Sequence, residues 1–140
     1  MSKKKLILIV EDDADTRAQL GFLIEVLGYD TVLCADGPEA MSSFDEHKID
    51  LVLTDLILPR GDGVDLLTEF HEKKPEVPVI ILTGYPSEGS LMETLPHEPY
   101  AYLTKPISGE QLAEILERAF AKTAEKPTLD RLTVRQADKP

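Results

Sequence analysis

Four polar sites stand at the ends of short apolar runs: Glu11-Asp12-Asp13 after Leu6 to Val10, Asp55 after Leu51-Val52-Leu53-Thr54, Thr83 closing Val79 to Thr83, and Lys105 after Tyr100 to Thr104. If each run is a strand of one parallel sheet, all four sites meet on one rim, in the crevice where open α/β sheets place their ligands. The carboxylates of Glu11, Asp12 and Asp55, a hydroxyl and an ammonium gathered there describe a divalent-cation and phosphoryl site. The acids would repel one another in a shared pocket, so the folded state needs a cation or shifted protonation to tolerate them. Hard oxygen donors favour Mg²⁺.

Each of these residues also has a plainer explanation. A nucleotide or flavin binder of this topology carries a glycine-rich or hydroxyl-rich phosphate loop after its first strand, where this chain has Glu11-Asp12-Asp13-Ala14-Asp15. Such a loop attracts a metal and rejects a bare phosphate. Acids are also favoured in a first helical turn. That accounts for Asp13 and Asp15, whereas Glu11 and Asp12 lie too near the strand end to be explained by it alone. Asp55 has no capping duty, because Arg60-Gly61-Asp62-Gly63 supplies the turn and start of the next helix. A carboxylate at a central strand end is a candidate nucleophile for phosphoryl transfer through an acyl phosphate. Lys105 precedes Pro106, a junction restricted to extended or turn geometry that holds the ammonium near the crevice. Thr83 carries the weakest signal taken singly, since Thr before Gly84 is common at strand ends.

The elements that must position these groups follow from periodicity. Five apolar runs alternate with helical patterns, the rhythm of βα units. They are Leu6 to Val10, Thr31 to Ala35, Leu51 to Thr54, Val79 to Thr83 and Tyr100 to Thr104. Continuous apolarity in the first, third and fourth runs marks strands covered on both faces, hence the sheet centre. A first helix turns Leu20, Leu23, Ile24 and Leu27 inward and stops at Gly28. A second starts at Pro38 and buries Ala40, Met41 and Phe44. A third follows Gly63 with Val64, Leu67 and Phe70 inward. The last carries a capping box, Ser108-Gly109-Glu110-Gln111, and an inward stripe of Leu112, Ile115, Leu116 and Ala119. Between Gly84 and Pro99, prolines and glycines leave room for only about two helical turns around Glu88 to Leu95.

At 140 residues the chain fits one domain. Its ordinary hydrophobic and charged fractions (42% and 29%) describe a globular chain, and only the net charge of −11 stands out. That acidity argues against direct nucleic-acid binding. Lys3-Lys4-Lys5 reads as a solvated lead-in. Cys34 has no second cysteine to pair with, and no stretch is long enough to span a bilayer. With no secretory signal, a cytoplasmic location is the default. Cys34 and Met41 read as core. His47, His71 and His97 lack metal-ligand spacing and read as solvent-exposed. We expect a body over residues 5–122 and a tail or linker over 123–140, where Leu129, Leu132 and Val134 fit neither period. This tail is either a disordered linker or a segment docking on the body.

The blocks Leu6-Ile7-Leu8-Ile9-Val10-Glu11-Asp12-Asp13, Leu53-Thr54-Asp55-Leu56-Ile57-Leu58-Pro59, Asp62-Gly63, Leu82-Thr83-Gly84 and Tyr102-Leu103-Thr104-Lys105-Pro106 closely resemble the receiver domain of bacterial two-component response regulators. The resemblance runs from about Lys5 to Lys122. It implies a flavodoxin-like, doubly wound, five-stranded parallel sheet of order 2-1-3-4-5 with helices on both faces, a fold for which the chemotaxis receiver is a standard example. It also implies that Asp55 takes a phosphoryl group from the phosphohistidine of a histidine kinase or phosphotransfer protein. Asp12 would bind Mg²⁺ directly, Glu11 through water, and the Ile57 carbonyl would add a ligand beside Asp55. Lys105 would contact the phosphoryl oxygens, Thr83 would close on them, and Tyr102 would rotate inward as Thr83 moves. Ile57 and Tyr85 hold the positions that control water attack in the family. The chain departs from the family between Thr83 and Tyr102, where a proline-rich segment replaces a regular fourth helix. The surface that segment shares with the last strand and helix often serves a downstream protein or a homodimer.

The leading expectation is therefore a non-enzymatic signalling module, with too few residues after Lys122 for a folded output domain. A Mg²⁺-dependent small-molecule phosphatase or phosphotransferase would share the aspartyl nucleophile, but it would need a substrate pocket or cap that these short loops do not provide. A constitutive pseudo-receiver is the third reading, and the intact acid set counts against it.

Overall fold

The computed structural model describes residues 4–56, 58, 63–84 and 86–121. Its strands are β1 (Leu6–Val10), β2 (Asp30–Cys34), β3 (Leu51–Thr54), β4 (Val79–Thr83) and β5 (Ala101–Thr104), and its helices are α1 (Ala14–Val26), α2 (Gly37–Glu46), α3 (Gly63–Lys73), α4 (Glu88–Thr94) and α5 (Gly109–Ala121). The strands form one parallel sheet of order β2-β1-β3-β4-β5, as expected. The interior strands are the continuously apolar ones, and every residue of β3 and β4 is buried. Edge strand β2 is only partly covered, and it begins and ends one residue earlier than its apolar run suggests. Such one-residue offsets are ordinary at element ends.

Helix ends follow local chemistry. Asp13 caps α1 by accepting the backbone N–H and hydroxyl of Thr16 (2.9 and 2.7 Å). Gly28 takes the left-handed conformation (φ 105°) that ends the helix, where a side chain would be strained. Asp36 caps α2 through the Glu39 N–H (2.9 Å), with Pro38 in the first turn. The Ser108 box is reciprocal: Gln111 N–H donates to Ser108 Oγ (3.1 Å) and Ser108 N–H to Gln111 Oε1 (3.0 Å). The inward stripe of α5, Leu112, Ile115, Leu116 and Ala119, is buried. The core joins Ile7, Ile9, Phe44, Leu53, Phe70 and Ile81, with the Phe44 and Phe70 rings 4.7 Å apart.

Some expectations are revised. Met41 is only partly buried, packed against the core beside the buried Ala40 and Phe44 positions of α2, whereas Cys34 is buried as expected. His71 and His97 are half-buried rather than exposed. His97 Nδ1 lies 3.0 Å from Thr68 Oγ1, and His71 Nε2 lies 3.8 Å from Glu98, so both histidines link α3 to the turn after α4. Helix α4 has seven residues and passes into a 3₁₀ turn, Leu95–His97, as the flanking prolines dictate. The Val64 side chain, the Ile57 carbonyl, Tyr85 and the tail from 122 onward lie outside the described residues. So do Lys3 and the Arg60 to Asp62 turn.

Candidate functional site

Backbone register builds the rim. Val10 and Thr54 are paired at the ends of β1 and β3, and Thr83 and Thr104 at the ends of β4 and β5. The next residues continue the ladder: Asp55 N–H donates to Val10 O (3.1 Å), Lys105 N–H to Thr83 O (2.8 Å), and Glu11 N–H to Cys34 O (3.0 Å). Glu11, Asp55 and Lys105 are therefore each held by a neighbouring strand before their side chains make any contact.

The side chains then converge. Lys105 Nζ donates to Asp55 Oδ2 at 2.8 Å and also to Glu11 Oε1. The Glu11 and Asp55 side chains are only 3% and 8% exposed, against 22% for Lys105, so the ion pairs are shielded from water on the carboxylate side. Burial alone would push the Lys105 ammonium toward losing its proton. Its hydrogen bonds to Asp55 and Glu11 outweigh that and hold its pKa above the ordinary lysine value. The second oxygen of Glu11 accepts the Asp13 N–H (3.0 Å), so Glu11 is fixed at both oxygens. Asp13 itself is held below the usual carboxylate range by the Thr16 hydroxyl and N–H.

The other candidates take different places. Thr83 is fully buried at the end of β4. Asp12 is exposed at the mouth of the rim. Tyr102 is buried on β5, with its hydroxyl bonded to Ser90 Oγ on α4. The Lys105–Pro106 peptide is cis. A cavity of about 250 Å³ opens beside Lys105, between Thr16, Leu20 and Leu23 of α1 and Pro106 and Ile107 of the following loop.

Two residues escaped the sequence reading. Arg17 Nη1 donates to the carbonyl oxygens of Glu11 (2.9 Å) and Asp12 (3.4 Å), clamping the acidic loop from the first turn of α1. A cation near a helix N-terminus opposes the helix dipole, and that misplacement was the available signal. Ser90 gave none, because its partner lies on another element.

The donor chemistry suits a hard cation, since Glu11, Asp12 and Asp55 offer only carboxylate oxygens. Among the described residues, however, no three acidic, histidine or cysteine side chains converge as a metal cluster. Here Lys105 pairs with both Glu11 and Asp55, offsetting one of their two negative charges, and Asp12 lies outside these pairs.

A parallel 2-1-3-4-5 sheet whose strand ends gather two buried carboxylates and a lysine is that of a doubly wound α/β protein with a charged site at the carboxyl ends of its strands. The response regulator receiver domain family matches residues 7–117. The transcriptional regulatory protein ZraR of Salmonella typhimurium is 34% identical over 85% of this chain, and the chain spans 27% of that protein's length. GlrR of Escherichia coli is 30% identical over 84% of the chain, which again spans 27% of it. A CheY-like receiver domain of Methanospirillum hungatei superposes with a TM-score of 0.84 at 28% identity, covering 87% of this chain and 98% of that one. The chain belongs to the response regulator receiver domain family of two-component signalling. Among the described residues no helix is long and apolar enough to cross a membrane.

Proposed function

We propose that Asp55 is the phosphoacceptor of this receiver, taking a phosphoryl group from the phosphohistidine of a histidine kinase or phosphotransfer protein. The observation that carries this reading is the Asp55 carboxylate at the end of central strand β3, 2.8 Å from the Lys105 ammonium. In the transfer, an Asp55 oxygen attacks phosphorus as the phosphorus–nitrogen bond breaks. An acyl phosphate forms and the imidazole leaves, taking up a proton. Positioning and charge neutralisation do most of the work in such a step. Lys105 lies where a phosphoryl oxygen on Asp55 would arrive, and the new group of about −2 charge gives it a stronger partner than the carboxylate it replaces. Thr83, at the end of the neighbouring strand, offers a hydroxyl to another oxygen. Tyr102 reports that movement to the surface, where a downstream protein or a second copy of the chain would read it.

Mg²⁺ is the cofactor this reading needs; Asp12, Glu11 and Asp55, with the Ile57 carbonyl, would hold it, and it would supply positive charge against the added phosphate. The chain acts as a phosphorylated signal carrier rather than as an enzyme on a small molecule, without direct contact to nucleic acid or membrane, in the cytoplasm. Residues 5–122 form the receiver, and 123–140 a tail or linker.

The test is intact-mass analysis after incubation with acetyl phosphate and Mg²⁺, or with a phosphorylated histidine kinase. One added phosphoryl group is expected in the native chain, with none in Asp55→Ala and none when Mg²⁺ is chelated. Equal labelling of Asp55→Ala overturns the phosphoacceptor assignment. No labelling of the native chain by either donor supports a constitutive interaction module instead.

A further inference from the structure

The hydroxyl of Ser90 belongs to two arrangements at once. Ser90 is the third residue of α4 and completes its capping box: Ser90 N–H donates to Ser87 Oγ (3.0 Å), and Ser87 N–H donates back to Ser90 Oγ (3.3 Å). The same Oγ is bonded to the hydroxyl of Tyr102, twelve residues away on β5. It also lies 3.1 Å from the Ser87 carbonyl oxygen. A serine hydroxyl has one proton to give and two lone pairs to fill. The Ser87 hydroxyl lies 3.1 Å from Ser90 Oγ as a competing donor, and one set of bonds uses all three: Tyr102 O–H and Ser87 N–H donate to Ser90 Oγ, and Ser90 O–H donates to Ser87 O.

We infer that Ser90 is a positioning residue that couples the first turn of α4 to the buried position of Tyr102. Helix α4 is only seven residues long and ends in a 3₁₀ turn. A helix this short gains little from propagation, so its cap supplies much of what holds it. Drawing the Tyr102 hydroxyl away removes one of the three bonds that fill Ser90 Oγ and loosens the cap. Disordering the cap in turn removes a hydroxyl that bonds Tyr102 in its inward position. The two positions stabilise one another through one oxygen atom, and the outward face of α4 follows Tyr102. Its link to phosphorylation rests on the proposed role of Asp55, while the Ser90 coupling itself does not.

The experiment uses the full chain labelled with 3-fluorotyrosine, its four tyrosines distinguished by Tyr102→Phe, together with amide hydrogen exchange over Glu88 to Thr94. In Ser90→Ala the Tyr102 fluorine resonance is expected to move and to become accessible to a soluble paramagnetic quencher, and Ser90→Thr should restore the parent signal. Ser87→Ala, which loosens the cap but leaves the Ser90 hydroxyl, should speed exchange in α4 and move the Tyr102 resonance less than Ser90→Ala does. Tyr102→Phe should speed α4 exchange about fivefold, the effect of losing one net hydrogen bond. A Tyr102 resonance unchanged in Ser90→Ala overturns the inference. So does an equal movement in Ser87→Ala, because the cap alone would then explain it. If acetyl phosphate leaves the Tyr102 resonance unmoved while Ser90→Ala shifts it, the coupling stands and the phosphorylation-dependent role of Tyr102 falls.

Discussion

Replacing Lys105 with methionine keeps the length of the side chain and removes its charge, leaving Glu11 and Asp55 facing one another with 3% and 8% of their side chains exposed. Removing one partner from a buried ion pair costs about 3–5 kcal/mol, because the charge left behind has neither water nor a counter-ion. Lys105 is 22% exposed at the mouth of the site, so some water can reach the orphaned acids, and the lower end, about 3 kcal/mol, is the better expectation. With a urea slope of about 1.5 kcal/mol per molar, the unfolding midpoint should fall by about 2 M at neutral pH without Mg²⁺, with the slope unchanged. The deficit should depend on pH. In the parent, the raised pKa of Lys105 means that its contribution is complete below the unfolded lysine value and disappears as pH rises through the folded one. Saturating Mg²⁺ should stabilise the variant more than the parent, since no ammonium competes for the acids. Far-UV circular dichroism during urea titration measures all of this. A neutral-pH midpoint within experimental scatter of the parent would refute the pairing as a source of stability.

The remaining predictions are smaller. Asp12→Asn should leave metal-free stability within about 0.5 kcal/mol, as for an ordinary surface change, because Asp12 is exposed and outside the Lys105 pairs. Mg²⁺ affinity by isothermal titration should nonetheless fall, and an unchanged affinity would place the ion elsewhere. Ser108→Ala removes one half of the α5 capping box and should cost about 1 kcal/mol in urea unfolding. Ser108→Asp should recover most of it.

The sheet was legible because its strands obey one simple rule: covered on both faces, β1, β3 and β4 read as unbroken apolar runs at the sheet centre, while the strand order comes from the family resemblance. Helix starts were legible where a side chain caps its own backbone, as at Asp13 and Ser108, and where a proline sits in the first turn, as at Pro38. Several of the misses share one cause. Thr68 and His97 are separated by 29 residues, Ser90 and Tyr102 by 12, and Lys105 and Glu11 by 94, so none of these pairs leaves a periodic trace in the chain. Strand-end position alone told which residues reach the rim. It did not tell which acids would share the lysine, because that depends on the side-chain depth of Glu11 against Asp12. Glu11, next after buried Val10, still bonds β2 through its N–H and is fixed at both side-chain oxygens. Asp12, in the bend that follows, is exposed, with Arg17 gripping its carbonyl and that of Glu11. The two adjacent acids thus divide at the point where the chain leaves the sheet. One acid is committed to the lysine, while the other remains accessible to a cation arriving from water.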